Sequence, residues 1–520
     1  MGKRSNGCVT CRKRKVKCDE GKPECDRCKK ATYQCKGYDQ PWLDETPFRL
    51  LADQRRHEEE AERRERQDAT VPQGAVAAKG FLPLDSVTQP MRLSAFQDDI
   101  CRSFVFHKLT GGSQPTKAMT WWLSSSPRVE VQSRTLVSAS RAMTASMFGN
   151  IHQQPRIAHE GRVMYGEAIR NLKSDLAHPI KAYTIETLGA TMALSMFEPG
   201  TPPGWITHAQ GVAKLIEHRG PQRHQQYPEK TIFIESRMTL ICNGIYICQR
   251  TFMEEQQWKD GPWENDPSSK SHLDCLVDVL ADIPGFLERV LYNDPSSGGL
   301  ILNVQAENEA LQVQLLGLLH NLATLHNTWK TKSPNASREI KNLNRALPPE
   351  LEATNSPYPP FECVFYFENM MLAYQFIIFN SVLILALELL LSVCGPQVVN
   401  SVLVNIFPDI PNCSIQSLAT HICQTAEYLY LNIHHSRGYI VFTFPATIAY
   451  MVLDKESPAA RYLYDMCTLN AGINGFGFGA FALEQPTPLS VWIDGLKEQN
   501  HTTSPLSHAT TETPVEEDMT

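Results

Sequence analysis

The chain has 520 residues, 42% of them hydrophobic and 20% charged, with a formal net charge of −7 and a mean hydropathy of −0.29. That length exceeds a single small module and leaves room for a large second domain. Charge is uneven: residues 1–38 hold 12 Lys or Arg against 4 Asp or Glu, which leaves −15 for residues 39–520. A basic head on an acidic body is expected where only the head meets nucleic acid. Residues 1–20 are basic and lack the apolar core of a secretory signal, which sets aside a secreted disulfide framework and gives little weight to the N-x-S/T sequons at Asn335, Asn412 and Asn500.

The first element is a cysteine cluster. Cys8, Cys11 and Cys18 are spaced C-x2-C-x6-C, and Cys25, Cys28 and Cys35 repeat that spacing 17 residues later. A structural zinc takes four thiolates in a tetrahedron. Six ligands serve one ion with two left over, or two ions with two sulfurs shared. The duplicated spacing favours the second arrangement, with Cys8 and Cys25 as the symmetric choice of shared ligands. The two copies differ in charge. Arg12, Lys13, Arg14, Lys15 and Lys17 crowd the first, whereas the second has Lys29 and Lys30 followed by Ala31, Thr32, Tyr33 and Gln34. A short helix in the first copy would bring its cations to guanine O6 and N7 in a DNA major groove. The second copy suits phosphate contacts. The basic run also fits a nuclear-import signal, and a metal-storage role would not need it.

The run from Cys8 to Cys35, CVTCRKRKVKCDEGKPECDRCKKATYQC, resembles the Zn2Cys6 binuclear cluster of fungal transcription factors at all six cysteine positions. The resemblance implies two structural zinc ions, one held by Cys8, Cys11, Cys18 and Cys25 and the other by Cys25, Cys28, Cys35 and Cys8. It also implies base contacts to a CGG triplet from Arg14 and Lys15, with Gly21 and Pro23 in the connecting loop.

Residues 39–90 read as a linker. Thr46 and Pro47 can start a helix that runs to Gln67, yet after Leu50 and Leu51 only Ala61 is apolar in DQRRHEEEAERRERQ. A coiled coil needs several heptads of apolar positions, so a solvated charged spacer is the expectation. From residue 91 the pattern turns helical. Phe96, Ile100 and Phe104 recur every four residues, and Gly111 is placed to stop that helix. Further helices are expected at 133–148, 160–177, 181–197, 205–218, 231–252, 271–292, 303–330, 362–394, 415–434 and 456–468. The segments AFQDDICRSFVFHKLTGG and GWITHAQGVAKLIEHRGP, the latter through Trp205, His208, Gly211, Arg219 and Gly220, resemble helices of the fungal-specific transcription factor domain.

Three stretches invite other readings. Residues 370–395 have the length of a membrane span. Gln375, Asn380, Ser381 and Glu388 interrupt the run and no basic cluster flanks it, so a buried core helix is expected. Gly475, Gly477 and Gly479 lack the G-x-G-x-x-G spacing, and His208 and His218 have no nucleophile or paired carboxylate beside them in sequence. The nine cysteines beyond the cluster (Cys101, Cys242, Cys248, Cys275, Cys363, Cys394, Cys413, Cys423 and Cys467) show no metal spacing and read as reduced core residues.

The expectation is a mostly all-α protein: a Zn2Cys6 DNA-binding domain at 1–38, a linker at 39–90, a large helical regulatory domain at 91–498 and a disordered acidic tail at 499–520. The expected function is that of a nuclear transcription factor, not an enzyme, with no catalytic residue and no membrane contact. Its partners are double-stranded DNA and co-regulators or the transcription machinery, with a homodimer left open. Resemblance suggests control of metabolic or secondary-metabolite genes. The alternative is a ligand-gated sensor whose helical body binds a small metabolite in a pocket lined by Phe, Met and Trp.

Overall fold

A computed structural model describes residues 10–11, 14, 16–19, 25–31 and 35 near the N-terminus, and residues 96–110, 133–196, 202–292, 304–342, 345–410, 413–431 and 435–474 beyond it. The chain divides into two compact units, Met1–Pro90 and Met91–Thr520. The linker helix expected at 47–67, the glycines of 475–479 and the tail lie outside the described residues.

The first unit contains a short helix, α1 (Asp26–Lys30). In the second, α2 (Gln97–Thr110), α3 (Arg134–Ile151), α4 (Pro155–Leu176), α5 (Ile185–Ser195), α6 (Pro202–Arg219) and α7 (Glu229–Ile247) are followed by the short α8 (Gln256–Asp260). Then come α9 (His272–Leu280), α10 (Ile283–Tyr292), α11 (Val304–Lys332), strand β1 (Ser337–Lys341), α12 (Pro349–Ala353) and strand β2 (Cys363–Phe367). The order ends with α13 (Met370–Cys394), α14 (Pro396–Ile406), α15 (Ile415–Leu429), α16 (His435–Val452) and α17 (Pro458–Asn474). Buried side chains from Val105 to Cys467 form one continuous apolar cluster, so the all-α expectation for the body holds.

Helices α3 and α4 pack antiparallel through small residues. Gly149 lies against Ala158 and Gly161 against Ser146, while Thr135 donates to Asp175 at 2.5 Å and Asn171 to Ser138 at 3.3 Å. A Cβ on Gly161 would sit 2.7 Å from the Ser146 backbone nitrogen, so only glycine permits this approach.

The apolar run at 370–394 is the core helix α13. Its N-cap is Asn369, whose side chain accepts the Leu372 N–H, and 72% of its most apolar stretch is buried. Three of the four polar residues that interrupt it are paired. Gln375 accepts from the Trp329 indole at 3.0 Å, Asn380 donates to the Phe376 carbonyl at 2.7 Å, and Ser381 donates to the Ile377 carbonyl at 2.7 Å. Satisfied in this way, they carry little of the desolvation cost of burial.

Four expectations are corrected. The helix expected over 362–394 begins with β2, paired antiparallel to β1 with Ser337 opposite Phe367 and Lys341 opposite Cys363. The single helix expected over 271–292 is two, α9 and α10, with Pro284 in the first turn of the second. Helices α14 and α16 stand where none was expected. On α2 the core face is Cys101, Val105 and Leu109, each at most 1% exposed, while Phe96 and Ile100 remain 42% and 41% exposed. Phe104 packs edge-on against Phe148 with ring centroids 5.3 Å apart.

Candidate metal centre and nucleic-acid interface

Two turns build the centre. After Cys11, the Arg14 N–H reaches the Thr10 carbonyl and the Val16 N–H reaches the Cys11 carbonyl, each at 3.1 Å. Helix α1 starts at Cys25, whose sulfur accepts the Cys28 N–H at 3.3 Å and so serves as the helix cap. Asp19 adds a second restraint, its carboxylate accepting the Arg27 N–H at 2.9 Å. The spacing of the cysteines gave no reason to single out Asp19; its position directly after Cys18 was the available signal.

Cys11, Cys25 and Cys28 are each 0% exposed, with Val16, Cys18 and Cys35 packed against them. The Cys11 sulfur lies 3.6 Å from that of Cys25 and 3.7 Å from that of Cys28. Disulfide sulfurs sit at about 2.05 Å, so these are not bridged. Four thiolates at about 2.3 Å from zinc are separated by about 3.8 Å along the edges of their tetrahedron. The Cys11–Cys25 spacing fits such an edge, while the Cys11–Cys28 approach brings together thiols that the resemblance assigns to different ions. A second group, Cys18, Asp19 and Cys25, has its ligand atoms within 4.8 Å of one another, and Cys25 belongs to both groups.

Of the other residues singled out from sequence, Cys35 is half-buried beside the trio, Arg14 is half-buried, and Lys17, Lys29 and Lys30 are exposed. Cys8, Arg12, Lys13 and Lys15 lie outside the described residues. Lys29 and Lys30 occupy the last turn of α1, where the helix dipole favours cations.

The body's thiols behave differently. Burial pushes Cys101 and Cys413 up to about 11 and Cys248 and Cys467 up to about 12, leaving them protonated and inert at neutral pH. His208 takes a hydrogen bond with the Tyr165 hydroxyl at 3.0 Å, and His218 donates to the Lys214 carbonyl at 2.9 Å. His208 is half-buried and His218 is exposed.

Residues 6–43 match the fungal Zn(2)-Cys(6) binuclear cluster domain. The chain is 30% identical over 124 residues to the uncharacterized protein AN5342 of Emericella nidulans, covering 23% of this chain and 27% of that one. It is 59% identical over 32 residues to the uncharacterized transcriptional regulatory protein C15D4.02 of Schizosaccharomyces pombe, 6% of each chain. The chain thus spans about a quarter or less of the curated relatives it matches. No solved structure matches it. A domain of this type binds two zinc ions, and the clustered cysteines fit that load.

Proposed function

We propose that this chain, whose residues 6–43 form a fungal Zn(2)-Cys(6) binuclear cluster domain, is a sequence-specific nuclear transcription factor. The observation that carries the reading is the convergence of the buried Cys11, Cys25 and Cys28 sulfurs within the matched domain. Cys8, Cys11, Cys18 and Cys25 hold one ion, and Cys25, Cys28, Cys35 and Cys8 the other. Every ligand is a thiolate and none leaves an open position for water, so the metal is structural. Arg14 and Lys15 read a CGG-like triplet, with Arg12, Lys13 and Lys17 beside them, while Lys29 and Lys30 hold phosphates. Its partners are duplex DNA and co-regulators, and the genes it controls serve metabolism.

Two hollows among the described residues bear on the sensor alternative. The aromatic hollow between His272, His326, Trp329, Gln375, Phe376 and Phe379 encloses about 10 Å³, barely room for one water. The larger hollow, about 520 Å³ beside Ser133, Asn171, Asp175, Lys181 and Glu186, is an open polar cleft rather than a pocket of Phe, Met and Trp.

The division of labour is tested by titrating duplexes with and without the selected site against Arg14→Ala, Lys15→Ala and Lys29→Ala. The first two are expected to lose about 1–3 kcal/mol of discrimination each. Lys29→Ala is expected to weaken binding to both duplexes alike and to lower the salt slope by about 0.9. Equal losses on both duplexes for all three variants would refute the assignment.

A further inference from the structure

Helix α4 sorts its charges onto two flanks. At 3.6 residues per turn, Arg162, Arg170 and Lys173 fall within an arc of about 80°, and Glu160, Glu167 and Asp175 fall within another of about 80°. The acidic flank is paired within the chain. Glu160 accepts from Gln97 at 2.6 Å and Arg156 at 3.0 Å, and Glu167 pairs with Arg134 at 3.2 Å. Asp175 accepts from Thr135 at 2.5 Å and pairs with Lys181 at 3.5 Å.

The cationic flank has no such partners. Arg162, Arg170 and Lys173 are exposed, and none has a carboxylate partner among the described residues. Between them stands Gly166, where an added Cβ would meet only the Arg170 guanidinium at 3.7 Å, so no side chain blocks the stripe. From Arg162 to Lys173 the stripe runs about 16 Å along the helix.

The surroundings make this charge unusual. Residues 133–184 hold seven Lys or Arg and three Asp or Glu, a net of +4, within a region (39–520) that carries −15 overall. A local excess of unpaired cations in an acidic body is the electrostatic footprint of a polyanion.

We propose that the Arg162–Arg170–Lys173 flank of α4 is a second nucleic-acid contact, which holds the phosphate backbone of duplex DNA beyond the site read by the zinc cluster. This rests on the transcription-factor reading, because contacts too weak to act alone count once the chain is anchored to the duplex and their effective concentration is high. An acidic peptide is the competing occupant. The stripe presents three cations, with the exposed apolar side chains Val163 at 61% and Leu176 at 45% at its two edges rather than among them, which favours a phosphate backbone over an apolar-acidic segment.

The test uses the full zinc-loaded chain and two duplexes carrying the same selected site, one of about 15 base pairs and one of about 40, so that only the longer offers flanking phosphates. Wild type is expected to bind the longer duplex more tightly and with a steeper salt dependence. The triple variant Arg162→Ala, Arg170→Ala, Lys173→Ala should lower the slope of log K against log salt on the longer duplex by about 2.7, and affinity there on the order of 10–100-fold near 0.1 M salt. Binding to the short duplex should stay within about twofold, and the thermal melt should be unchanged, as expected for exposed positions. Charge reversal at the same three positions should deepen the loss. An identical slope for wild type and both variants on the longer duplex overturns the proposal. So does an unchanged DNA affinity with lost binding to polyglutamate, which assigns the flank to a protein partner. Failure of wild type to bind the short duplex overturns the transcription-factor reading itself, and this proposal with it.

Discussion

Glu427 is 0% exposed on α15 and closes the hairpin onto the helical core. Its carboxylate accepts the Tyr366 hydroxyl from β2 at 2.6 Å and the Arg345 guanidinium at 2.6 Å. Arg345 also donates to Asn342 at 3.0 Å, and the Tyr358 hydroxyl donates to the Arg345 carbonyl at 3.0 Å, so the segment joining the strands hangs on the same carboxylate. Charge centres about 4 Å apart attract by about 4 kcal/mol at an effective dielectric of 20, set against the cost of taking both ions from water. Arg345→Met leaves the carboxylate buried without its cation and is expected to cost about 3–5 kcal/mol. Glu427→Gln keeps an acceptor of the same shape, lowering the expected loss to about 2–3 kcal/mol. Combining Arg345→Met with Glu427→Leu removes both charges and should cost less than Arg345→Met alone. Urea unfolding followed by tryptophan fluorescence measures all three. A Glu427→Gln variant within about 0.5 kcal/mol of wild type, or a double variant less stable than Arg345→Met, would refute the reasoning.

The remaining predictions concern the metal, the helix seam and pH. On the proposed bridging, Cys25→Ser and Cys8→Ser each remove a shared ligand, so both should lose most of their zinc by elemental analysis along with DNA binding; near-normal zinc in either contradicts the bridging assignment. Gly161→Val forces apart the seam between α3 and α4 and should destabilise by about 1–3 kcal/mol, read as a lower urea midpoint. Burial lowers His224 and His326 from 6.5 to about 4 in the folded chain. Their contribution is therefore complete above pH 6.5 and is lost as pH falls toward 4, by at most about 1.4 kcal/mol per pH unit for each. Urea midpoints at pH 7.5 and 5 should differ, and His326→Phe should reduce that difference.

The metal centre was legible because thiolate spacing is a local property: the repeated C-x2-C-x6-C pattern fixes how many sulfurs meet within a short stretch. Asp19 was not, since its role depends on the loop that brings it back to the Arg27 amide. In the body, helical character was legible but the faces were not. Helix α2 carries two stripes at four-residue spacing, and only its packing partners decide that Cys101, Val105 and Leu109 go inward. The strand Cys363–Phe367 was hidden because its aromatic and β-branched residues run directly into the apolar α13. The capping Asn369 marked the boundary between them. The partners of Glu427 lie 61 and 82 residues away in sequence, a pairing that periodicity does not encode.

The most direct test of the central claim is selection of random duplex DNA by residues 1–70 with zinc and by the full-length chain, with bound zinc counted in both. Two zinc ions per chain and enrichment of a CGG-like triplet are the predicted result, and paired triplets at fixed spacing from the full-length chain alone would place dimerisation in the helical body. Two bound zinc ions with no enriched sequence from either protein would contradict the account and make the cluster a structural or protein-binding module.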